Sequence, residues 1–413
     1  MLEQDVMMPS DDMQPPWLSM IGIGEDGLDG LSAAARGLLG DAELIVGGAR
    51  HLALVAALGK PTLRWESPFA ASLPKLLAQR GRRVAALCSG DPFWYGAGAV
   101  IAEAVPDTET CAIPAPSTFA WAAARLRWRL EDAVTLGLHA RPIALLRPHL
   151  RSGARLILLA RDGAAPAQIA AYLAGLGFGP SRLTILEALG GPRERMRTIS
   201  ADAFAFDDIR TPVALAIEAI AVPGAIIIPR IAGLPDALFQ HDGQLTKREI
   251  RAVTLSTLAP RGGELLWDIG AGSGAIGIEW LLADPANRAI GIEPRDDRLA
   301  NARANALALG VPHLDLRLGS APQALKDLPI PDAIFVGGGA SRDGVLDAVW
   351  QALPTGGRLV VNAVTLETEA ELIARQARHG GSLLRLSVER AAPVGGMSGW
   401  RAAMPVVQWS VTK

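Results

Sequence analysis

From Trp17 onward, short apolar runs alternate with alanine- and leucine-rich segments. WLSMIGIG, ELIVGG, RRVAALCSG, ARLILLARDG and RLTILEAL are continuous apolar runs closed by Gly, Asp or charged residues, the pattern of buried strands. Segments such as SAAARGLLG and FAWAAARLRW between them predict helices. The alternation predicts α/β layering, not an all-helical or all-β fold. A strand at VALAIEAI is followed by AVPGAIIIPRIAGLPDALFQHDGQ, Ala221 to Gln244, where prolines and glycines break the rhythm and place a boundary near Arg230. A helix from Lys247 to about Leu258 then opens a second series: ELLWDIG, RAIGIEP, LDLRLG, DAIFVGG, GRLVVNAV, and a closing pair, SLLRLSVER with MPVVQWSV. Five strands with interposed helices predict an open sheet whose site lies at the carboxyl ends of the strands.

At 413 residues the chain exceeds the size at which one core stops growing, so two domains are expected, residues 17–230 and 231–413. Residues 1–16, MLEQDVMMPSDDMQPP, mix charge, Met and Pro without periodicity and read as a flexible leader. No run approaches the roughly 20 apolar residues of a membrane span, and nothing before Trp17 has the order of a signal peptide; a soluble cytoplasmic protein is expected, with no membrane partner. Cys88 and Cys111 form neither a disulfide framework nor a CxxC pair, and the histidines, including His51 and His139, lack ligand spacing, so no metal is assigned. A net charge of -2 gives no basic field for nucleic acid. Only five of the 40 basic residues are lysine. Arginine forks bind carboxylates bidentately, so a polycarboxylate ligand is one explanation of that bias and codon usage another.

Two stretches share the pattern G-x-G-x-x-G. The second, WDIGAGSGAIGIEW, runs from an apolar strand through a glycine loop into a helix, where backbone N–H groups and the helix N-terminus can meet a ligand. Glu293 ends the next strand 19 positions beyond Gly274, where a carboxylate can take both hydroxyls of a ribose. Those features suit a dinucleotide and S-adenosylmethionine alike. Asp268, two residues before Gly270 in the run Asp268-Ile-Gly270-Ala271-Gly272-Ser273-Gly274, resembles motif I of the class I methyltransferases more closely than a dehydrogenase fingerprint. LGSAPQAL sets Ser320 and Ala321 where that family turns its backbone toward the adenine, and PDAIFVGGG resembles its fourth strand. Upstream, Thr246 with Glu249 three residues on forms a capping box beside the expected cofactor loop, and Ile250, Val253 and Leu258 make an apolar stripe.

The first loop, GIGEDG, is followed by a strand that ends in glycines with no acid at the ribose position, so the dinucleotide reading fails there. CSGDPFWYGAG and then IPAPSTFAWAAARLRWRLEDA put an S-G-D-P turn after a strand and a helix start at Ser117 and Thr118, followed later by LARDG. These stretches resemble the tetrapyrrole (class III) methylases, whose cofactor lies in a trough between two α/β lobes. The resemblance implies cofactor contacts at Gly22, Gly24, Gly90, Asp91, Pro92, Ser117 and Thr118. One departure is visible: many members have Pro after the second glycine of the first loop, where this chain has Glu25-Asp26.

A two-lobed tetrapyrrole methylase joined to a Rossmann-like class I methyltransferase resembles the bifunctional precorrin-6Y C5,15-methyltransferases (decarboxylating) of aerobic cobalamin biosynthesis. GEDGLDGLS, GGARHL, HDGQLTKREIRA and GGMSGWRAAMPVVQW carry that likeness. It implies C5 methylation by the first domain, C15 methylation with loss of carbon dioxide from the C12 acetate by the second, and one S-adenosylmethionine site in each. His241, Asp242, Lys247 and Glu249 are candidates for a general acid, and Arg125, Arg161 and Arg248 for substrate carboxylates, by resemblance only. A homo-oligomer is implied too. The rival readings are a single class I site with a non-catalytic, substrate-binding first domain, an NAD-dependent oxidoreductase, and a scaffold that binds nothing.

Overall fold

A computed structural model describes residues 16–413, so the leader reading falls, but for Pro16, outside the described residues. The chain divides into two compact units, residues up to Arg141 with Arg151–Ile226, and Pro142–Leu150 with Ile227–Lys413. The change of unit lies at Ile226 and Ile227, close to Arg230, but the sequence reading had no signal for the excursion of Pro142–Leu150.

The first unit holds two five-stranded sheets. One is wholly parallel: β1 (Leu18–Ile23), β2 (Leu44–Gly47), β3 (Thr62–Arg64), β4 (Val84–Ser89) and β5 (Thr110–Ile113), in the order 3-2-4-1-5. Every residue of β1 is buried, which is why it reads as an unbroken apolar run and not as an alternation. The other sheet comprises β6 (Ala133–Gly137), β7 (Arg155–Leu159), β8 (Arg182–Glu187), β9 (Arg195–Ser200) and β10 (Val213–Glu218), in the order 6-7-10-8-9, with only β6 and β7 parallel.

In the second unit β11 (Leu265–Ile269), β12 (Arg288–Glu293), β13 (Asp315–Leu318), β14 (Ala333–Val336) and β15 (Arg358–Ala363) run parallel, while β16 (Ser382–Leu386) and β19 (Val406–Thr412) close the sheet antiparallel. The order is 13-12-11-14-15-19-16. Between β16 and β19 the chain forms a separate hairpin, β17 (Glu389–Val394) with β18 (Met397–Ala402), which the apolar pattern did not reveal because most of its residues are exposed. Period-two alternation sends Leu265, Trp267 and Ile269 into one core and Leu266 into the other, with Trp280, Leu258 and Phe335.

The helix Arg248–Leu258 starts where the sequence placed it, but not by the expected capping box. Lys247 is the N-cap and makes no side-chain cap bond, and Glu249 pairs with Arg390 instead. Because Lys247 and not Thr246 is the N-cap, Thr246 stands one residue outside the capping position and Glu249 falls on the second helical residue, out of register for the reciprocal bonds of a capping box. The buried face contains Ile250, Leu255 and Leu258 together with Arg251 and Thr254, whereas Val253 is only half-buried. No helix among the described residues is long and apolar enough to cross a membrane.

Candidate functional site

In the second unit the chain runs from β11 to one edge of the sheet and from β14 to the other. The crevice of such a sheet lies where the direction reverses, outside the carboxyl ends of those strands. A cavity of about 570 Å3 opens there. Its floor is the loop after β11, in which Gly270, Gly272 and Gly274 take φ of 73°, 57° and 77°, a left-handed backbone that disfavours any side chain. A Cβ on Gly270 would stand 2.9 Å from Gly338 N, so the loops after β11 and β14 touch backbone to backbone. A Cβ on Gly272 would meet almost nothing, since that glycine borders open space. Gly274 instead starts the helix Ala275–Ala283 and packs against Ala302, away from the cavity lining.

Two carboxylates frame this loop. Glu293, at the end of β12, accepts from Gly272 N at 2.9 Å and from Arg295 N at 3.1 Å, and it lines the cavity while remaining 2% exposed. Asp268 Oδ2 accepts from Gly277 N at 3.0 Å, but Asp268 Oδ1 is buried without a hydrogen-bond partner. Burial, with a smaller push from the charge on Glu293, drives the Asp268 carboxyl up to about 7. An unpaired buried acceptor on the wall of a cavity is costly unless a ligand supplies the donor.

Of the other expected residues, Thr246, Ala271, Ser273, Ser320 and Ala321 also line the cavity. Lys247 and Glu249 do so as well, while His241 and Asp242 do not. His241 Nδ1 accepts from Gly243 N at 3.0 Å, and Asp242 accepts from Arg298 at 2.8 Å, which holds its carboxyl below the usual range. Both thus shape the linker turn.

Sequence reasoning missed two supports. Asn305, 1% exposed, donates to Ser273 O and Gln240 O, both at 2.9 Å, and accepts from Gln240 N at 2.7 Å, tying the linker to the glycine loop. Asn362 lines the cavity from β15, where it donates to Thr254 Oγ1 at 3.0 Å and accepts from Gln408 Nε2 at 2.9 Å. No local motif marks either residue, because the partners lie far away in the chain.

In the first unit the reversal lies between β1 and β4. A Cβ on Gly22 would stand 1.9 Å from Gly90 O and 2.5 Å from Ala115 N, and one on Gly90, at φ 58°, would stand 2.8 Å from Ser117 Cα. Three strand ends thus meet through bare backbone. Asp91 Oδ1 accepts from Phe93 N at 2.8 Å to set the turn, and Pro92 is buried beneath it, its carbonyl accepting from Gly98 N at 2.9 Å. Ser117 caps the helix Thr118–Leu126 through Ala120 N at 3.2 Å. Gly24 faces the Asp26 side chain. Glu25, the departure from the family pattern, buries most of its side chain and pairs with Arg50 and with Arg193, the latter at 3.1 Å. Arg125 pairs with Glu194 and Arg161 with Asp162, so neither of these candidates presents a free guanidinium. Among the described residues no group of three or more His, Cys, Asp or Glu is arranged to hold a metal.

Comparison with known proteins follows the same division. Residues 18–204 match the family of tetrapyrrole (corrin/porphyrin) methylases, and residues 237–413 match the precorrin methyltransferase domain. The chain is 53% identical over 399 residues to a Sinorhizobium precorrin-6Y C(5,15)-methyltransferase [decarboxylating], covering 96% of this chain and 97% of the relative. It is 40% identical over 400 residues to a protein of the same name from Mycobacterium tuberculosis, covering 95% and 99%. Among solved structures, the C-terminal domain of precorrin-6Y C5,15-methyltransferase from Rhodobacter capsulatus is 49% identical, with a TM-score of 0.43, covering 45% of this chain and 100% of that one. At this identity over almost its whole length, the chain belongs to the family of decarboxylating precorrin-6Y C(5,15)-methyltransferases, enzymes of cobalamin biosynthesis for which membership implies S-adenosylmethionine as methyl donor.

Proposed function

We propose that the chain methylates precorrin-6Y at C5 in its first unit and at C15 in its second, decarboxylates the C12 acetate to a methyl with release of carbon dioxide, and consumes two S-adenosylmethionine to give precorrin-8. The observation that carries this reading is the second-unit cavity, where an unpaired buried acceptor, Asp268 Oδ1, and the ribose-facing acid Glu293 flank a glycine loop open to a ligand. These groups fit the donor: Asp268 would accept from its ammonium, Glu293 would accept from its ribose hydroxyls, and the loop N–H groups at the helix N-terminus would donate to its carboxylate. When bound, the donor supplies an electrophilic sulfonium methyl.

The protein's own task is alignment and exclusion of water. Meso carbons of a reduced corrinoid are enamine-like nucleophiles, so attack on the methyl needs no strong base. Asn362, locked by Thr254 and Gln408, offers a fixed polar contact on the cavity wall. Of the four candidate acids for the decarboxylation, Lys247 and Glu249 face the cavity, and Glu249 is engaged by Arg390. In the first unit, the crowded backbone junction of Gly22, Gly90 and Ser117 supports a second donor site. The Glu25 pairs with Arg50 and Arg193 hold that loop in place of the usual proline. The reading also carries a cytoplasmic homo-oligomer.

The test uses the full chain with reduced precorrin-6 substrate and methyl-labelled donor. Two methyls and one carbon dioxide per substrate are expected. Gly270→Val should abolish C15 methylation and carbon dioxide release while leaving C5 methylation, and Gly22→Val the converse. A chain that adds one methyl only, insensitive to Gly22→Val, would leave the first unit as a binding module and defeat the two-site reading.

A further inference from the structure

The cavity of the second unit contains four basic side chains, Lys247, Arg298, Arg342 and Arg390, and their partners divide them into two pairs. Arg298 is tied to Asp242 at 2.8 Å and Arg390 to Glu249, so each of these charges is neutralised where it stands. Lys247 and Arg342 are not: among the described residues neither has a carboxylate within 4.0 Å. Among the described residues the only side-chain bond of Arg342 is a long one, 3.4 Å, from Nη1 to Ser320 Oγ. Most of the five donors of its fork are therefore unbonded on an exposed side chain that lines the cavity.

The backbone sets this arginine deliberately. Arg342 follows β14 in the run GGGASRDG, and its N–H donates to Gly339 O at 3.0 Å, closing a turn in which Gly339 takes φ 76°. A Cβ on Gly339 would make ordinary van der Waals contact with Arg342 Cδ and Nε, at 3.6 and 3.7 Å, so the arginine stem lies along the loop beside it. The same cavity wall exposes Val364 and Met404, 56% and 69% accessible, large apolar surface that a water-filled cleft has no use for. The negative charges that remain, Asp268 and Glu293, belong to the glycine-loop side.

A ligand that matches this lining has an apolar conjugated body and anionic groups at its edge. Resting on the reading of this cavity as the C15 site, we propose that Arg342, with Lys247 as the second contact, binds peripheral carboxylates of the tetrapyrrole and so fixes which meso carbon faces the methyl donor. Arg342 is a specificity-determining residue here. Its planar fork takes a carboxylate in two parallel bonds, giving direction as well as affinity, whereas Lys247 contributes a point charge.

The test is steady-state kinetics of C15 methylation by the full chain, with Arg342→Gln, Arg342→Lys and Lys247→Gln, alongside calorimetric binding of S-adenosylhomocysteine. Arg342→Gln should raise KM for the tetrapyrrole roughly 10- to 100-fold, the range for one charge-assisted contact, with kcat less affected. Arg342→Lys should recover part of the loss, and affinity for S-adenosylhomocysteine should stay within about twofold. Wild-type protein given a methyl-esterified substrate should behave as the Arg342→Gln, Lys247→Gln double variant does with the free acid, and esterification should cost that double variant little further. A merely structural arginine would not produce that convergence. An unchanged KM in Arg342→Gln, or an equal loss of S-adenosylhomocysteine affinity, overturns the proposal. Failure of the underlying reading looks different, since the wild-type chain would then transfer no methyl to C15 at all.

Discussion

Gly272 N donates to Glu293 Oε2 at 2.9 Å, joining the glycine loop after β11 to the acid that ends β12. One carboxylate thereby shapes the floor of the cavity and faces into it. Replacing Glu293 by Ala should remove both roles, weakening S-adenosylhomocysteine binding at the second site at least about tenfold, as expected for a lost charge-assisted bond. Calorimetry on Glu293→Ala and Glu293→Gln checks this. Equal, wild-type affinity in both would show that the acid serves only the loop.

Gly22 tests the first unit. Because a Cβ there would lie 1.9 Å from Gly90 O, even Gly22→Ala forces the ends of β1 and β4 apart. Overpacking of this kind costs about 1–3 kcal/mol. The expected outcome is a lowered melting transition of the first unit with C5 methylation lost and C15 methylation retained, read from position-resolved methyl incorporation.

Asp268 predicts a pH dependence. Its folded-state carboxyl is raised to about 7, above the usual 3.8, so the folded chain holds this proton more tightly than the unfolded chain. The resulting stabilisation is complete below about pH 4 and is lost as pH rises toward 7, at roughly 1.4 kcal/mol per pH unit at most. Asp268→Asn, which cannot ionise, should show a flatter stability profile across pH 4–7 in denaturant titrations. Parallel profiles for the two proteins would place the carboxyl near its ordinary value.

Arg251 and Glu279 form an ion pair at 2.5 Å with both side chains almost completely buried. Arg251 also donates to Leu234 O and Thr246 O, and Glu279 accepts from Gly233 N at 2.6 Å and Leu234 N at 3.0 Å, so the pair fastens the segment before the helix Arg248–Leu258 onto the helix Ala275–Ala283. Removing one partner strands a buried charge, and Arg251→Met should destabilise the second unit by about 3–5 kcal/mol. Arg251→Met with Glu279→Gln should cost less than the single change. Additive losses in urea titrations would mean that the two side chains act independently.

Much of the fold was legible because it rests on local pattern. Buried parallel strands such as β1, β4, β11 and β14 are mostly apolar runs, broken in β11 only by Asp268, and the positive-φ glycines after β11 announce a loop that disfavours other residues. Strands β3, β5, β6 and β9, together with the β17–β18 hairpin, were not legible, since they are short or exposed and owe their conformation to a paired neighbour. Thr246 and Glu249 had the spacing of a capping box, but Arg390, 141 residues away in the chain, takes the glutamate.

The sequence by itself determined two α/β units, a boundary segment rich in proline and glycine, and the two glycine loops, because strand period, turn chemistry and backbone permissiveness act over a few residues. Tertiary structure decided which charges are spent and which are free. Arg251 is sealed in the core, Arg125 and Arg161 are paired, and Arg342 is left facing the cavity, though all are alike in the sequence. The reason is physical: an ionised side chain takes its role from the dielectric and the partner it finds on folding, and both come from segments distant in the chain.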